Sequence, residues 1–286
     1  VAGWRLATNA VHDKGGLIVC QLWHCGRLSL PEFHDGQPPV APSAVNPNWK
    51  MFSTTGHPET VTPHALTRDE IKAIVGDSRR GAANAMAAGF DGIEIHSSNG
   101  YLFHQFFSHQ SNQRDDEYGG SHENRARFFR EVLDAVGEVM PLERVGFRLN
   151  PMLNHFHGIT VDEDTLPMWE HVVRTANGYG LSYLHLTEPL SPKQVANTPG
   201  TLLDVGVHFR PIATMPVISN GALDQAKGEA RLAANLCDAV AYGMAWIANP
   251  DLVERYRRGA PLNEPDRDTF YQGGEKGYLD YPTLAA

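Results

Sequence analysis

Three hydrogen-bond donors of different chemistry, His96, Asn99 and Tyr101, stand within six residues in the run Gly89-Phe90-Asp91-Gly92-Ile93-Glu94-Ile95-His96-Ser97-Ser98-Asn99-Gly100-Tyr101. Before it, the small-residue segment Gly81–Ala88 reads as the end of a helix. Gly89 breaks that helix, and Ile93 and Ile95 alternate as in a buried strand, so the polar cluster falls at the strand's carboxyl end. Ligands of parallel α/β proteins bind at that end of the sheet. An imidazole, an amide and a phenol gathered there make a candidate binding and catalytic site. The competing reading is a loop that caps itself with Asn and Gly.

The elements that must hold this cluster follow from periodicity. Val1, Trp4, Ala7 and Val11 recur at helical spacing until Lys14-Gly15-Gly16, so the chain opens inside a helix without a visible start. Leu17–Trp23 is an apolar run bounded by glycines, which predicts a strand buried on both faces. A long proline-rich passage, 30–63, reads as a functional loop. Thr67 and Glu70 form a capping box ahead of Ile71, Ile74 and Val75. Beyond the central run, helices are expected over Glu123–Val139, Asp162–Asn177, Asp204–Ala213, Ala226–Leu236 and Ala245–Arg257. Strands are expected over Arg144–Leu149, Leu181–Thr187, Met215–Ser219 and Asp238–Gly243, with a proline-rich loop after Leu181–Thr187 and an irregular tail from Pro261. Strict alternation implies a parallel sheet with right-handed crossovers. No Gly-x-Gly-x-x-Gly follows any strand, which disfavours a dinucleotide-binding Rossmann domain. Six strands fall two short of an eight-stranded barrel, and the missing pair would precede Val1. The chain therefore reads as a fragment.

Composition sets the outer limits. The chain has 286 residues, 42% hydrophobic and 20% charged, with a net charge of −9 and no acidic or basic block. Nucleic acid and anionic membranes are not expected partners, and no apolar run approaches a membrane span. Cys20, Cys25 and Cys237 are too few and too irregularly spaced for a disulfide framework, which fits a cytoplasmic setting.

Several runs together resemble the old yellow enzyme family of flavin-dependent ene reductases. They are Gln21-Leu22-Trp23-His24, the central run Gly89–Tyr101, Ser111-Asn112-Gln113-Arg114-Asp115-Asp116-Glu117-Tyr118-Gly119-Gly120 and Glu123-Asn124-Arg125-Ala126-Arg127-Phe128. Arg144-Val145-Gly146-Phe147-Arg148-Leu149, Ile247-Ala248-Asn249-Pro250-Asp251-Leu252 and Gly277-Tyr278-Leu279-Asp280-Tyr281-Pro282 continue the likeness in order along almost the whole chain. The resemblance implies an α/β fold, a TIM (β/α)8 barrel of the FMN-linked oxidoreductase type, here without its first two strands. It implies one partial domain over 1–286, with 261–286 an irregular tail packed on it. It further implies hydride transfer from NADPH or NADH through FMN to a small-molecule substrate, an activated alkene.

By the same resemblance His96 and Asn99 grip the substrate oxygen, and two donors on one oxygen suit the charge that develops there. Tyr101 corresponds to the proton donor, and a phenol suits a short-range transfer to a carbanion-like centre. Gln21 corresponds to a contact on the pyrimidine edge of the flavin, with a structural hydrogen bond inside the barrel as the alternative. Arg148 corresponds to the cation beside the flavin N1/C2 oxygen side; a buried salt bridge is its alternative. Trp23 and Tyr271 correspond to aromatic residues of the substrate pocket, or are core filler. Ser111–Gly120 reads as a structural loop whose charges pin the chain.

The phosphate end departs from the family. Ser219-Asn220-Gly221-Ala222 stands where the family has a Gly-rich turn, and Tyr242-Gly243-Met244 where it has a Gly-Arg pair. Backbone N–H groups at Gly221 and Ala222 can cradle a phosphate, with Gly243 and Met244 completing the seat. Met244 removes a charge-assisted hydrogen bond, so weaker FMN retention is expected. Two rival readings remain. His155 and His157, with His24 beside Cys25, suggest a metal-dependent barrel hydrolase, although no convergent set of three or four ligands is visible and no metal is expected. The other is an inactive fragment with two open sheet edges.

Overall fold

Alternating side-chain chemistry along the strands gives the sheet two unlike faces. In the computed structural model, which describes residues 1–189, 201–202, 204–271 and 274–284, eight strands occur. Six of them, β1 (Val19–Leu22), β4 (Gly92–His96), β5 (Val145–Leu149), β6 (Tyr183–Thr187), β7 (Val217–Asn220) and β8 (Ala239–Val240), lie side by side in that order, all parallel. The other two, β2 (Val40–Ala41) and β3 (His64–Ala65), form a small parallel pair at the ends of the proline-rich passage.

Register places Gln21 opposite Glu94, His96 opposite Arg148, Arg148 opposite His185 and Thr187 opposite Asn220. Residues in register on parallel neighbours share a face, and successive residues alternate between faces. Gln21, Glu94, His96, Arg148, His185, Thr187 and Asn220 therefore lie on one face. Ile93, Ile95, Phe147, Leu149, Leu184 and Leu186 lie on the other and join the hydrophobic core. The interior of a parallel barrel is ordinarily filled by branched apolar side chains. Here the apolar set faces the helices and the opposite face is polar.

The helices supply the rest of the core. α2 (Arg68–Ala87) starts at Thr67, whose hydroxyl accepts from Glu70 N–H while the Glu70 carboxylate accepts from Thr67 N–H. α5 (Arg127–Gly137) buries Phe128, Phe129, Val132, Leu133 and Val136, one stripe at helical spacing. α6 (Thr165–Ala176) buries Trp169 and Val172 beside it. Phe106 and Phe128 stack with centroids 4.6 Å apart, and Trp169 meets Phe107 edge-on at 5.4 Å. Such contacts add about 0.5–1.5 kcal/mol each beyond burial.

Four expectations from the sequence need correction. Leu17–Trp23 is not buried on both faces: β1 pairs only with β4, so Val19 is 42% exposed and the strand alternates exposed and half-buried. The helix expected over Glu123–Val139 is two, His122–Arg125 and α5, because Ala126 (φ −84°, ψ −7°) closes the first at the point where Arg125 turns to Asp164 and the Phe107 carbonyl. The helix expected over Ala245–Arg257 breaks into Met244–Ala248 and Leu252–Arg258 at Asn249-Pro250-Asp251, since proline offers no N–H and pushes its predecessor out of helical geometry. Asp238–Gly243 contributes only Ala239–Val240 to the sheet, as an edge with one partner. Most of the proline-rich stretch after β6, 190–200, lies outside the described residues.

The Ser111–Gly120 loop does pin the chain. Arg114 donates to Asp116, Pro42 O and Leu66 O, and the Asn112 amide donates to Phe106 O and Tyr118 O. We expect Thr67→Ala to remove the reciprocal cap of α2 and lower unfolding free energy by about 1 kcal/mol in urea titrations, with the m-value unchanged.

Candidate active site

The polar face opens into a cavity of about 690 Å³, in the range of small-molecule and cofactor sites. Asn99, Tyr101, Arg148, Gly221, Ala222, Gly243, Met244 and Tyr271 line it. His96, Gln21 and Trp23 are outside its lining. His96 and Gln21 share the sheet face, and Trp23 packs edge-on against Tyr101 with centroids 4.8 Å apart. Tyr271 reaches the cavity from the C-terminal tail and is 89% exposed, so it is not core filler.

The loop after β4 is held from below by α3 (Leu102–Phe107). Asn99 (φ +58°) and Gly100 (φ +80°) are consecutive left-handed residues, a conformation Asn and Gly tolerate best. His104, buried, accepts the Gly100 N–H at Nδ1 (3.1 Å), and the Gln105 amide donates to Gly100 O (2.7 Å). Asn150 donates to Asn99 Oδ1 (2.8 Å), which leaves the Asn99 amide nitrogen as a donor. His157 Nδ1 lies 2.7 Å from Asn99 O; a carbonyl only accepts, so that nitrogen carries the proton. The Tyr101 ring then stands among Trp23, His96 (5.2 Å) and His157 (5.7 Å).

Electrostatics keep these groups uncharged. Burial, helped by the positive charge of Arg148, lowers the His96 pKa to about 4. Burial, with Cys25 and Tyr271 nearby, raises the Tyr101 phenol to about 12. At neutral pH the site therefore presents a neutral imidazole and a protonated phenol. His104, fully enclosed, is lowered by burial to about 3.

Arg148 has no carboxylate partner among the described residues; its only hydrogen bonds go to the Thr187 hydroxyl at 3.3–3.4 Å. The buried salt bridge considered from sequence does not form. Glu94, the carboxylate on the same face, is occupied by Gln21 and His185. On this face His185 Nε2 and Asn220 Oδ1 are buried without a hydrogen-bond partner among the described residues. Buried polar atoms left unpaired cost about 1–3 kcal/mol each, so this face suits a ligand with complementary donors and acceptors. Sequence reasoning missed Glu94, His185 and Asn150. The first two sit at alternate strand positions as isolated polar residues in apolar runs, a signal that was there to be read.

The far end of the cavity is different. Gly221 (φ +116°) turns tightly against Glu188, whose backbone oxygen would lie 2.6 Å from an added Cβ. The helix that follows, Gln225–Ala233, is already capped by Asp224, which accepts Lys227 N–H. Met244, 42% exposed, begins the short helix after Gly243. Among the described residues this end carries Asp224, whose carboxylate lies 3.3 Å from Lys227 Nζ, and no cation lines the cavity there. Among the described residues His24, Cys25, His155 and His157 do not gather as a metal-ligand set. His157 is committed to Asn99 O, and the His–carboxylate group that does gather is His109, Asp162 and Asp164, where Arg125 and His122 already hold Asp164. No helix among the described residues is long and apolar enough to cross a membrane.

A polar strand face bearing an unpaired guanidinium, at the carboxyl ends of parallel strands, defines a barrel-type cofactor enzyme. The comparisons narrow that class. The NADH:flavin oxidoreductase / NADH oxidase family matches residues 1–263. The chain is 38% identical to 12-oxophytodienoate reductase 2 of Arabidopsis thaliana over 289 residues, covering 99% of this chain and 76% of that protein. It is 41% identical to the Leishmania infantum protein named "Probable flavin mononucleotide-dependent alkene reductase", covering 99% and 77%. Among solved structures, morphinone reductase superposes with a TM-score of 0.89 at 44% identity, covering 99% of this chain and 76% of that one. The old yellow enzyme homologue from Zymomonas mobilis gives 0.91 at 33%, covering 98% and 78%. The chain belongs to this family of FMN-dependent flavin oxidoreductases, the old yellow enzyme family, and its six strands are those of an FMN-linked TIM barrel.

The depressed His96 fixes a pH dependence. Between about 4 and the ordinary 6.5 the unfolded chain binds a proton at this position that the native state does not. Stability is therefore complete above about pH 6.5 and falls as pH drops toward 4. Urea unfolding at pH 7, 6, 5 and 4.5 checks this; His96→Asn should flatten part of the slope.

Proposed function

We propose that this chain reduces the C=C bond of activated alkenes, enones and nitroalkenes, with His96 and Asn99 holding the carbonyl or nitro oxygen and Tyr101 supplying the proton. The observation that carries this reading is Arg148, a guanidinium beside the donor trio on a polar strand face with no carboxylate to neutralise it. FMN, when bound, would supply hydride chemistry at that face, with NADH or NADPH as the reductant and the alkene as the acceptor, which suits alternating occupation of one pocket. The structures of morphinone reductase with tetrahydroNAD accord with a nicotinamide donor.

Each residue has a distinct task. Ser98 Oγ lies 3.2 Å from His96 Nδ1; with its hydroxyl donating there, the imidazole proton resides on Nε2 and can be offered to the substrate oxygen. The Asn99 amide, its oxygen engaged by Asn150, adds a second donor. Two such donors favour the state in which negative charge has built up on oxygen over the ground state. Tyr101 remains protonated throughout the physiological range and can pass its proton to the α-carbon. Gln21 and Arg148 meet the pyrimidine side of the flavin, where fixed positive charge favours added electron density. Trp23 and Tyr271 border the substrate. Gly221, Ala222, Gly243 and Met244 would form the phosphate seat, made weak by the thioether in place of a cation.

On this reading 1–286 is one partial barrel domain with 261–286 as its covering tail. Arg255 ties that tail down by donating to Pro261 O and Pro282 O. Three free cysteines accord with a cytoplasmic setting.

Stopped-flow measurement of the two half-reactions separates the roles. Tyr101→Phe should leave flavin reduction by the nicotinamide unchanged while slowing alkene reduction about 10²- to 10⁴-fold. His96→Ala should first weaken binding of enone ligands, about tenfold or more. Equal loss in both half-reactions would show that these residues only hold the fold. Met244→Arg should tighten FMN about tenfold at low salt, less at high salt, as read by flavin fluorescence quenching. Unchanged affinity would remove Met244 from the phosphate seat.

A further inference from the structure

Glu94 is the single carboxylate on the polar face of the described sheet strands, and it is 7% exposed. Both its oxygens are engaged. Oε1 accepts from Gln21 Nε2 at 2.5 Å, across the in-register pair of β1 and β4. Oε2 lies 2.8 Å from His185 Nδ1, two strands away on β6. Gly146 makes the crossing possible: it stands between these strands on β5, and a Cβ there would lie 2.3 Å from the Tyr183 ring, which reaches over β5 toward Glu94. Burial pushes the Glu94 carboxyl up, but His185, Gln21 and the charge of Arg148 outweigh it, so the net shift is down and the group stays ionised.

An ionised carboxylate only accepts hydrogen bonds. The amide of Gln21 must therefore turn its NH₂ to Glu94, which leaves its carbonyl Oε1, beside the second N–H, facing away from the carboxylate. A glutamine without such a neighbour can present either end, because a flip exchanges donor for acceptor at little steric cost. We propose that Glu94 is a positioning residue that locks Gln21 as an acceptor toward the bound flavin, so that the site selects a flavin whose pyrimidine edge carries an N–H. The inference rests on the flavin site proposed above and names what that site reads. It also gives a reason for the unpaired guanidinium. Gln21 and His185 saturate the one nearby carboxylate, and Arg148 is left for the ligand.

The test uses a flavin altered at the atom in question. FMN and N3-methyl-FMN, which lacks the imide N–H, are titrated into the apoprotein and followed by fluorescence quenching. The wild-type chain should bind the methylated flavin about tenfold or more weaker, the cost of facing a carbonyl with no donor. In Glu94→Gln either orientation of Gln21 becomes available, and that ratio should fall below about threefold. A variant that is merely destabilised loses affinity for both flavins equally and keeps the wild-type ratio, and that outcome overturns the proposal. If Glu94→Gln does not fold, Gln21→Met retains the Glu94–His185 contact and should show the same collapse of the ratio; a wild-type ratio there overturns it too. Equal wild-type affinity for the two flavins sinks the inference and leaves the flavin site standing, whereas a wild-type chain that binds neither sinks both.

Discussion

The structure depends on one constraint, the strict alternation of side chains along a parallel strand. β4 carries Ile93 and Ile95 to the helices and Glu94 and His96 to the polar face; β5 does the same with Phe147 against Arg148, and β6 with Leu184 and Leu186 against His185 and Thr187. A shift of one residue in any register would exchange the two sets, placing a guanidinium in the core and leucines in the site. The apolar face supplies the burial that stabilises the fold. The polar face carries groups whose hydrogen bonds the described residues do not complete, His185 Nε2 and Asn220 Oδ1 among them. Stability and function are thus allotted to opposite faces of the same strands.

The catalytic loop shows how little freedom that arrangement leaves. Asn99 and Gly100 are left-handed, and the chain then enters α3 at once, so the residues that follow Tyr101 in sequence can reach back and bond the turn that precedes it. Arg27 fixes the outer wall from the other side. Its guanidinium is 1% exposed, donates to Val45 O and Gly158 O, and is lowered to about 10 by burial. It ties the proline-rich passage to the loop bearing His157, whose ring lies against Tyr101. A neutral His96 and a protonated Tyr101 are consequences of this enclosure. Tyr101 is thereby held as a hydroxyl donor, and His96 as a neutral imidazole with a single N–H to offer.

The two ends of the cavity are unequally equipped. The end near β4 and β5 has a cation, two amides and a phenol, all positioned by tertiary contacts. The end near Gly221 and Met244 has backbone N–H groups, a helix start already capped by Asp224, and among the described residues no cation in the cavity lining. Asp224 is already paired with Lys227, so a flavin phosphate placed there would find no free cation in the lining and the ring must contribute most to binding.

The order of strands and helices, the Thr67 cap, the pinning role of Ser111–Gly120 and the position of His96, Asn99 and Tyr101 at a strand end were legible in the sequence, because each is written in local spacing or local hydrogen-bonding chemistry. The edge exposure of β1 was not, since an apolar run says nothing about how many neighbours a strand has. Nor was the break at Asn249-Pro250-Asp251 drawn from periodicity, although Pro250 announced it. Gln21 and Arg148 stood out as polar residues in buried strands, but sequence left each with two meanings. Tertiary structure shows what each meets inside the protein: Gln21 donates to Glu94, and Arg148 makes no salt bridge among the described residues. The reason is register. Glu94, 73 residues from Gln21 and 91 from His185, meets both only when three strands align, and that alignment decides which charge is neutralised and which is left for a ligand.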